Sequence, residues 1–137
     1  MNDQSSADAG ADVVMKTAKG SVDDVVAKLC ELVEARGLKV FAVVDHSGEA
    51  SNIGLELRNT KVVIFGSPEA GTPVMEAFPL VALDLPLKFL IWDDGGQTRV
   101  SFTSPRALAA RYGLSDALAQ RLSGIGPLSD ALVATDD

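Results

Sequence analysis

The sequence predicts an α+β domain of two layers: a largely antiparallel sheet of about five strands with helices mainly on one face, in the order β-α-β-β-β-β-α with short helical inserts. Three observations carry this expectation. Ser21 to Gly37 has the apolar spacing of an amphipathic helix. Leu38–Asp45, Lys61–Gly66, Leu87–Trp92 and Thr98–Thr103 are rich in β-branched, aromatic and leucine residues between turn formers, as strands are. Successive strands lack the alternating long helices of a doubly wound parallel sheet, so segregated helices on an antiparallel sheet follow.

Met1 to Ala11 is Ser, Asp, Ala and Gly with nothing to bury, and reads as a disordered tail before a single domain over residues 12–135, with a second short tail at 136–137. Val13, Met15 and Thr17 alternate with Val14, Lys16 and Ala18, the period of a first strand. Ser21 with Asp24 forms a capping-box pattern, and Val22, Val25, Val26, Leu29, Leu32 and Val33 then share one helical face until Gly37. Asp94-Gly95-Gly96 turns the last two strands into a hairpin. There Arg99, Ser101 and Thr103 alternate with Thr98, Val100 and Phe102, which predicts one wet face. Ser104-Pro105 caps and starts a helix through Leu108 and Tyr112 to Gly113, and Ser115 opens a further helical stretch. Gly124-Ile125-Gly126-Pro127 reads as a break before a last short turn around Leu128, Ala131 and Leu132.

Composition excludes several classes of function. A net charge of −7 over 137 residues opposes nucleic acid and anionic membranes as partners, both being polyanions. Cys30 is the one cysteine, so neither an internal disulfide nor a zinc site of paired cysteines is available, which suits a reducing cytoplasm. The first residues lack the basic and apolar regions of a secretory signal, and no apolar run reaches the roughly 18 residues of a membrane span.

Titratable and metal-binding groups are few. The one histidine, His46, follows Asp45 at the end of the second predicted strand, with Glu49 three residues on. Imidazole and carboxylates suit a divalent ion, so His46, Asp45 and Glu49 form a candidate metal set, and Asp45 with His46 a candidate catalytic pair. The competing structural reading has Asp45 capping a short helical turn that begins at His46. Cys30 with His46 is a further nucleophile pair to weigh against Cys30 as a small packed hydrophobe. The Phe65-Gly66-Ser67-Pro68-Glu69-Ala70-Gly71-Thr72-Pro73 turn is the other candidate. Here glycines relax the chain, Thr72-Pro73 caps and starts a helix, and exposed amides face an anionic or apolar ligand beside Met75. Gly66, Ser67, Gly71, Thr72 and Met75 are the expected ligand-binding residues, with Asp45 and His46 as polar neighbours. Glu69, Glu76 and the missing lysine argue against phosphate, and a rigid crossover is the plain alternative. Asp84, among apolar neighbours, needs a partner from Lys88, Arg58 or backbone amides.

Three segments carry a family resemblance: Gly37-Leu38-Lys39-Val40-Phe41 through Asp45-His46, Phe65 through Met75, and Ala82-Leu83-Asp84-Leu85-Pro86-Leu87-Lys88 on to Trp92. The chain resembles domain-of-unknown-function family 302, with Ser67 standing where an asparagine is expected. The resemblance implies a domain similar to half of the TATA-binding-protein fold that self-associates as a homodimer. It supplies no catalytic residue and leaves any cofactor unknown. The expected function is a non-catalytic small-ligand-binding or homodimeric interaction module; the alternative is a metal-assisted or hydrolytic enzyme using Asp45 and His46.

Overall fold

The computed structural model describes residues 12–134; the tails expected at 1–11 and 136–137, with Thr135, lie outside the described residues. Strands β1 (Val13–Ala18), β2 (Lys39–Asp45), β3 (Thr60–Gly66), β4 (Leu87–Asp94) and β5 (Gln97–Thr103) form one antiparallel sheet in the order β1-β5-β4-β3-β2. The helices are α1 (Val22–Ala35), α2 (His46–Asn52), α3 (Pro68–Ala77), α4 (Pro105–Tyr112), α5 (Asp116–Gln120) and α6 (Ile125–Val133), with a 3-10 turn at Pro79–Leu83.

Both ends of α1 are closed by local chemistry. Ser21 Oγ accepts the Asp24 amide at 3.0 Å, and Asp24 Oδ2 accepts the Ser21 amide at 3.4 Å. At the other end Gly37, at φ 72°, takes the left-handed conformation that a side chain resists. This lets the Gly37 amide reach the Glu34 carbonyl and the Leu38 amide reach Val33, which satisfies the last carbonyls. Between them Val22, Val25, Leu29 and Val33 present the buried stripe.

That stripe meets the inner face of the sheet, where Val63, Phe65, Phe89, Ile91, Val100 and Phe102 are buried. Phe89 stacks on Phe65 at 5.3 Å and 10°, and meets Phe102 edge-on at 5.3 Å and 79°. Both are favoured aromatic geometries. A smaller second cluster of Val74, Val81, Leu108 and Leu122 gathers α3, the 3-10 turn, α4 and the segment after α5.

The C-terminal segment departs from expectation. Gly124-Ile125-Gly126-Pro127 begins a nine-residue helix instead of breaking the chain. Pro127 falls in its first turn, where a missing N–H leaves no helical bond unmade. Ile125, Leu128 and Leu132 then enter the core beside α1. Lys16 ties β1 to this helix by donating to Ser129 Oγ at 2.6 Å and pairing with Asp130 at 2.5 Å.

The expected wet face of β5 is also drier than its alternation suggests. Ser101 is buried, because Trp92 from β4 lies over it and donates its indole N–H to Ser101 Oγ at 3.2 Å. Leu132→Ala should cost about 2–5 kcal/mol in urea unfolding, the range for a core leucine. Leu83→Ala, at a site 79% exposed, should stay within about 0.5 kcal/mol of the parent.

Candidate functional site

β3 leaves the core at Phe65 and turns through Gly66 into α3, whose cap is Ser67. Ser67 Oγ accepts the Ala70 amide at 3.3 Å, and its carbonyl accepts Gly71 at 2.9 Å. Thr72 and Pro73 therefore lie inside the helix, which starts one turn earlier than expected because Ser67-Pro68 is itself a cap and first-turn pair. The start of α3 consequently offers little to an anion. Pro68 has no N–H, and Ser67 takes the Ala70 and Gly71 amides.

Beside this turn is a cavity of about 160 Å³. Phe65 and Gly66 supply one wall, Ala70, Gly71 and Met75 of α3 a second, and Leu85, Pro86 and Leu87 before and in β4 a third. Leu38 and Phe41 close it from the β2 side, and Arg121, Leu122, Gly124 and Ile125, from the end of α5 to the start of α6, from the other. Phe41 reaches the turn because β2 carries an extra residue: Val40 faces Phe65 and Ala42 faces Ile64, leaving Phe41 in a bulge.

Of the residues expected to bind ligand, Gly66, Ser67, Gly71 and Met75 line the cavity, whereas Thr72 is exposed on α3 and does not. Phe41, Pro86, Leu87, Arg121 and Ile125 were not foreseen. They converge only through tertiary packing, although the Leu85-Pro86 dipeptide marks a constrained entry to β4.

Asp45 and His46 are not neighbours of the turn. In the antiparallel register Lys39 faces Gly66 and Asp45 faces Lys61, so the pair sits at the opposite end of β2, about 20 Å along the strand. Asp45 caps α2, accepting the Gly48 amide at 2.9 Å and the Ser47 hydroxyl at 2.7 Å. The Gly48 bond first, then that of Ser47, holds its carboxyl below the usual range. His46 is an exposed first-turn residue and Glu49 an exposed residue of the same short helix. Among the described residues no group of three His, Cys, Asp or Glu side chains is placed to hold a metal ion, so Asp45, His46 and Glu49 do not make the ligand set their spacing suggested. Burial, and then Glu34, push the Cys30 thiol up, away from the thiolate a nucleophile needs.

Asp84 has partners other than those expected. Tyr112 donates its hydroxyl to Oδ2, and Arg111 Nη1 donates to the same oxygen at 2.8 Å. Lys88 turns instead to the Pro86 carbonyl at 3.2 Å. The Tyr112 bond, then Arg111, hold the Asp84 carboxyl below the ordinary carboxylate range, and Asp84 in turn raises Tyr112. This contact binds α4 to the residue that precedes the Leu85-Pro86 wall of the cavity. A carboxyl depressed on folding stabilises above its unfolded pKa, about 4, and loses that contribution as pH falls through its folded value. Tyr112→Phe should therefore lower stability at pH 7, and the difference from the parent should shrink on acidification below pH ~4 in denaturant titrations.

A family model described as "Domain of unknown function DUF302" matches residues 14–127. A 103-residue stretch, 74% of this chain, is 34% identical to "Fluoride-specific ion channel FluC 1" of Brucella suis and covers 41% of that protein. A similar match, also 34% over 103 residues, covers 38% of "Fluoride-specific ion channel FluC 2" of Brucella melitensis. The chain thus spans about two fifths of the length of these curated relatives. The crystal structure of a DUF302 protein from Bacillus stearothermophilus superposes with a TM-score of 0.75 at 17% identity, over 88% of this chain and 94% of that one, a likeness of fold.

Proposed function

We propose that this chain, which belongs to the DUF302 family, is a non-catalytic binding module that takes a small molecule in the cavity beside the β3–α3 turn. The observation that carries the reading is the convergence of four chain segments on one apolar cavity at that turn. The catalytic inventory, by contrast, is dispersed: His46 is at the far end of β2, and Cys30 is held as a thiol. An enzyme built on Asp45 and His46 would need a pocket beside them, whereas Asp45 is occupied as a helix cap. The lone cysteine supports a reducing compartment such as the cytoplasm.

The curated relatives bear on context. Among the described residues of this chain no helix is long and apolar enough to cross a membrane. The segment shared with those channels is therefore read as an attached domain outside the lipid, and this chain as a binding unit of the same kind. Channel activity belongs to the names of those proteins.

Benzene is a probe of the right size for such a cavity. It should raise the melting temperature of the parent protein, since a ligand of the native state stabilises it. Gly71→Leu should fold, because a Cβ added there meets only the Met75 methyl at 3.7 Å and helix propensity improves by up to about 1 kcal/mol. Its side chain fills the cavity, so the benzene response should vanish. A parent protein indifferent to benzene at saturation would sink the binding-module reading.

A second reading, a homodimer, is favoured by the outer face of the sheet. Val62, Ile64, Leu90 and Trp92 share that face across β3 and β4, and the helices that build the main core, α1 and α6, pack on the other. Five strands about 4.8 Å apart and roughly 20 Å long present on the order of 480 Å². Two such faces approach the roughly 1,000 Å² of a specific interface. Light scattering should give a dimer at micromolar concentration and a monomer for Leu90→Lys, and dilution should red-shift the emission of Trp92, the one tryptophan. A parent that stays monomeric when concentrated would refute it.

A further inference from the structure

We infer that the cavity takes a small monocarboxylate, with a body of about benzene size against Phe65, Met75, Leu87 and Ile125 and the carboxylate at Arg121. The inference rests on the binding-module reading and adds the ligand's chemistry to it. A cavity near 150 Å³ lined by Leu, Ile and Phe stays dry and accepts benzene, so about 160 Å³ here calls for a body of similar bulk. A sugar or nucleotide is too large, and a polar body would lose its hydrogen bonds against these walls.

The polar side chains in the lining are Ser67 and Arg121. Ser67 Oγ already accepts the Ala70 amide, which leaves its proton to donate. A guanidinium only donates. Among the described residues no carboxylate lines the cavity, for Glu69 and Glu76 of α3 are exposed and stand outside it. The two side chains thus offer the ligand's polar end mainly donors, the Ser67 hydroxyl and the Arg121 guanidinium, which favours an acceptor there. Arg121 forms no ion pair among the described residues, and its planar fork matches a carboxylate. A phosphate would ask for more donors than remain, because Ser67 occupies the Ala70 and Gly71 amides and Pro68 has none. The net charge of −7 opposes a distant anion, but that repulsion is screened beyond about 8 Å at physiological salt.

Calorimetric titrations of benzoate, benzyl alcohol and citrate into the parent, Arg121→Gln and Gly71→Leu proteins test the assignment. Benzoate should bind the parent about tenfold more tightly than benzyl alcohol, the worth of one charge-assisted hydrogen bond. Citrate should not bind. Arg121→Gln should bring benzoate down to benzyl alcohol without changing the latter, and Gly71→Leu should abolish both. Equal affinity of the acid and the alcohol for the parent would overturn the carboxylate inference and leave the cavity reading standing. Preference for benzoate that survives Arg121→Gln would overturn the role of Arg121. Binding of neither aromatic probe would overturn the cavity reading itself.

Discussion

Three rings laid side by side across the middle of the sheet are the constraint on which the rest of the domain depends. Phe65, Phe89 and Phe102 come from β3, β4 and β5, and their contacts hold these strands in one register on the inner face. A slip of one residue would carry every ring to the other side. Helices α1 and α6 add the second layer by pressing Leu29, Val33, Ile125 and Leu132 on the same rings and their neighbours. Phe65 has a second duty. It is the last buried residue before the turn and also forms a wall of the cavity, so the site inherits its rigidity from the core.

The fold was legible in the sequence wherever local chemistry and apolar period agreed. Ser21, Asp24 and Gly37 delimit α1 as their residue types require, and all five strands follow from their composition. The last helix is hidden because Gly126 and Pro127 have the residue types of a break, whereas Pro127 belongs to a first turn. A competing signal likewise obscures the start of α3. Ser67-Pro68 carries the same cap and first-turn signal as Ser104-Pro105, but Thr72-Pro73 competes with it and lies closer to the apolar residues that follow.

The site was legible only in part. Its turn was found, because glycines and prolines at that density force an unusual backbone. Its remaining walls were not, since Phe41 enters through a bulge and Arg121 through packing of a segment more than 50 residues away in sequence. Adjacency of β2 and β3 alone does not bring Asp45 and His46 to the turn. Antiparallel pairing sets the end of one strand beside the start of the next, which sends them to the opposite rim of the sheet.

The bulge in β2 also shapes the margin of the sheet. β2 is an edge strand, and a regular edge exposes a row of amides and carbonyls that invites another chain to extend the sheet. The extra residue at Phe41 interrupts that row and turns the ring toward the cavity, while Lys39, with its ammonium 5.1 Å from the ring, keeps a charge on the same edge. One irregularity thus gives the cavity a wall and makes the margin of the sheet a poor template for open-ended ribbon growth. Straightening it would remove a wall of the cavity and the protection from aggregation together.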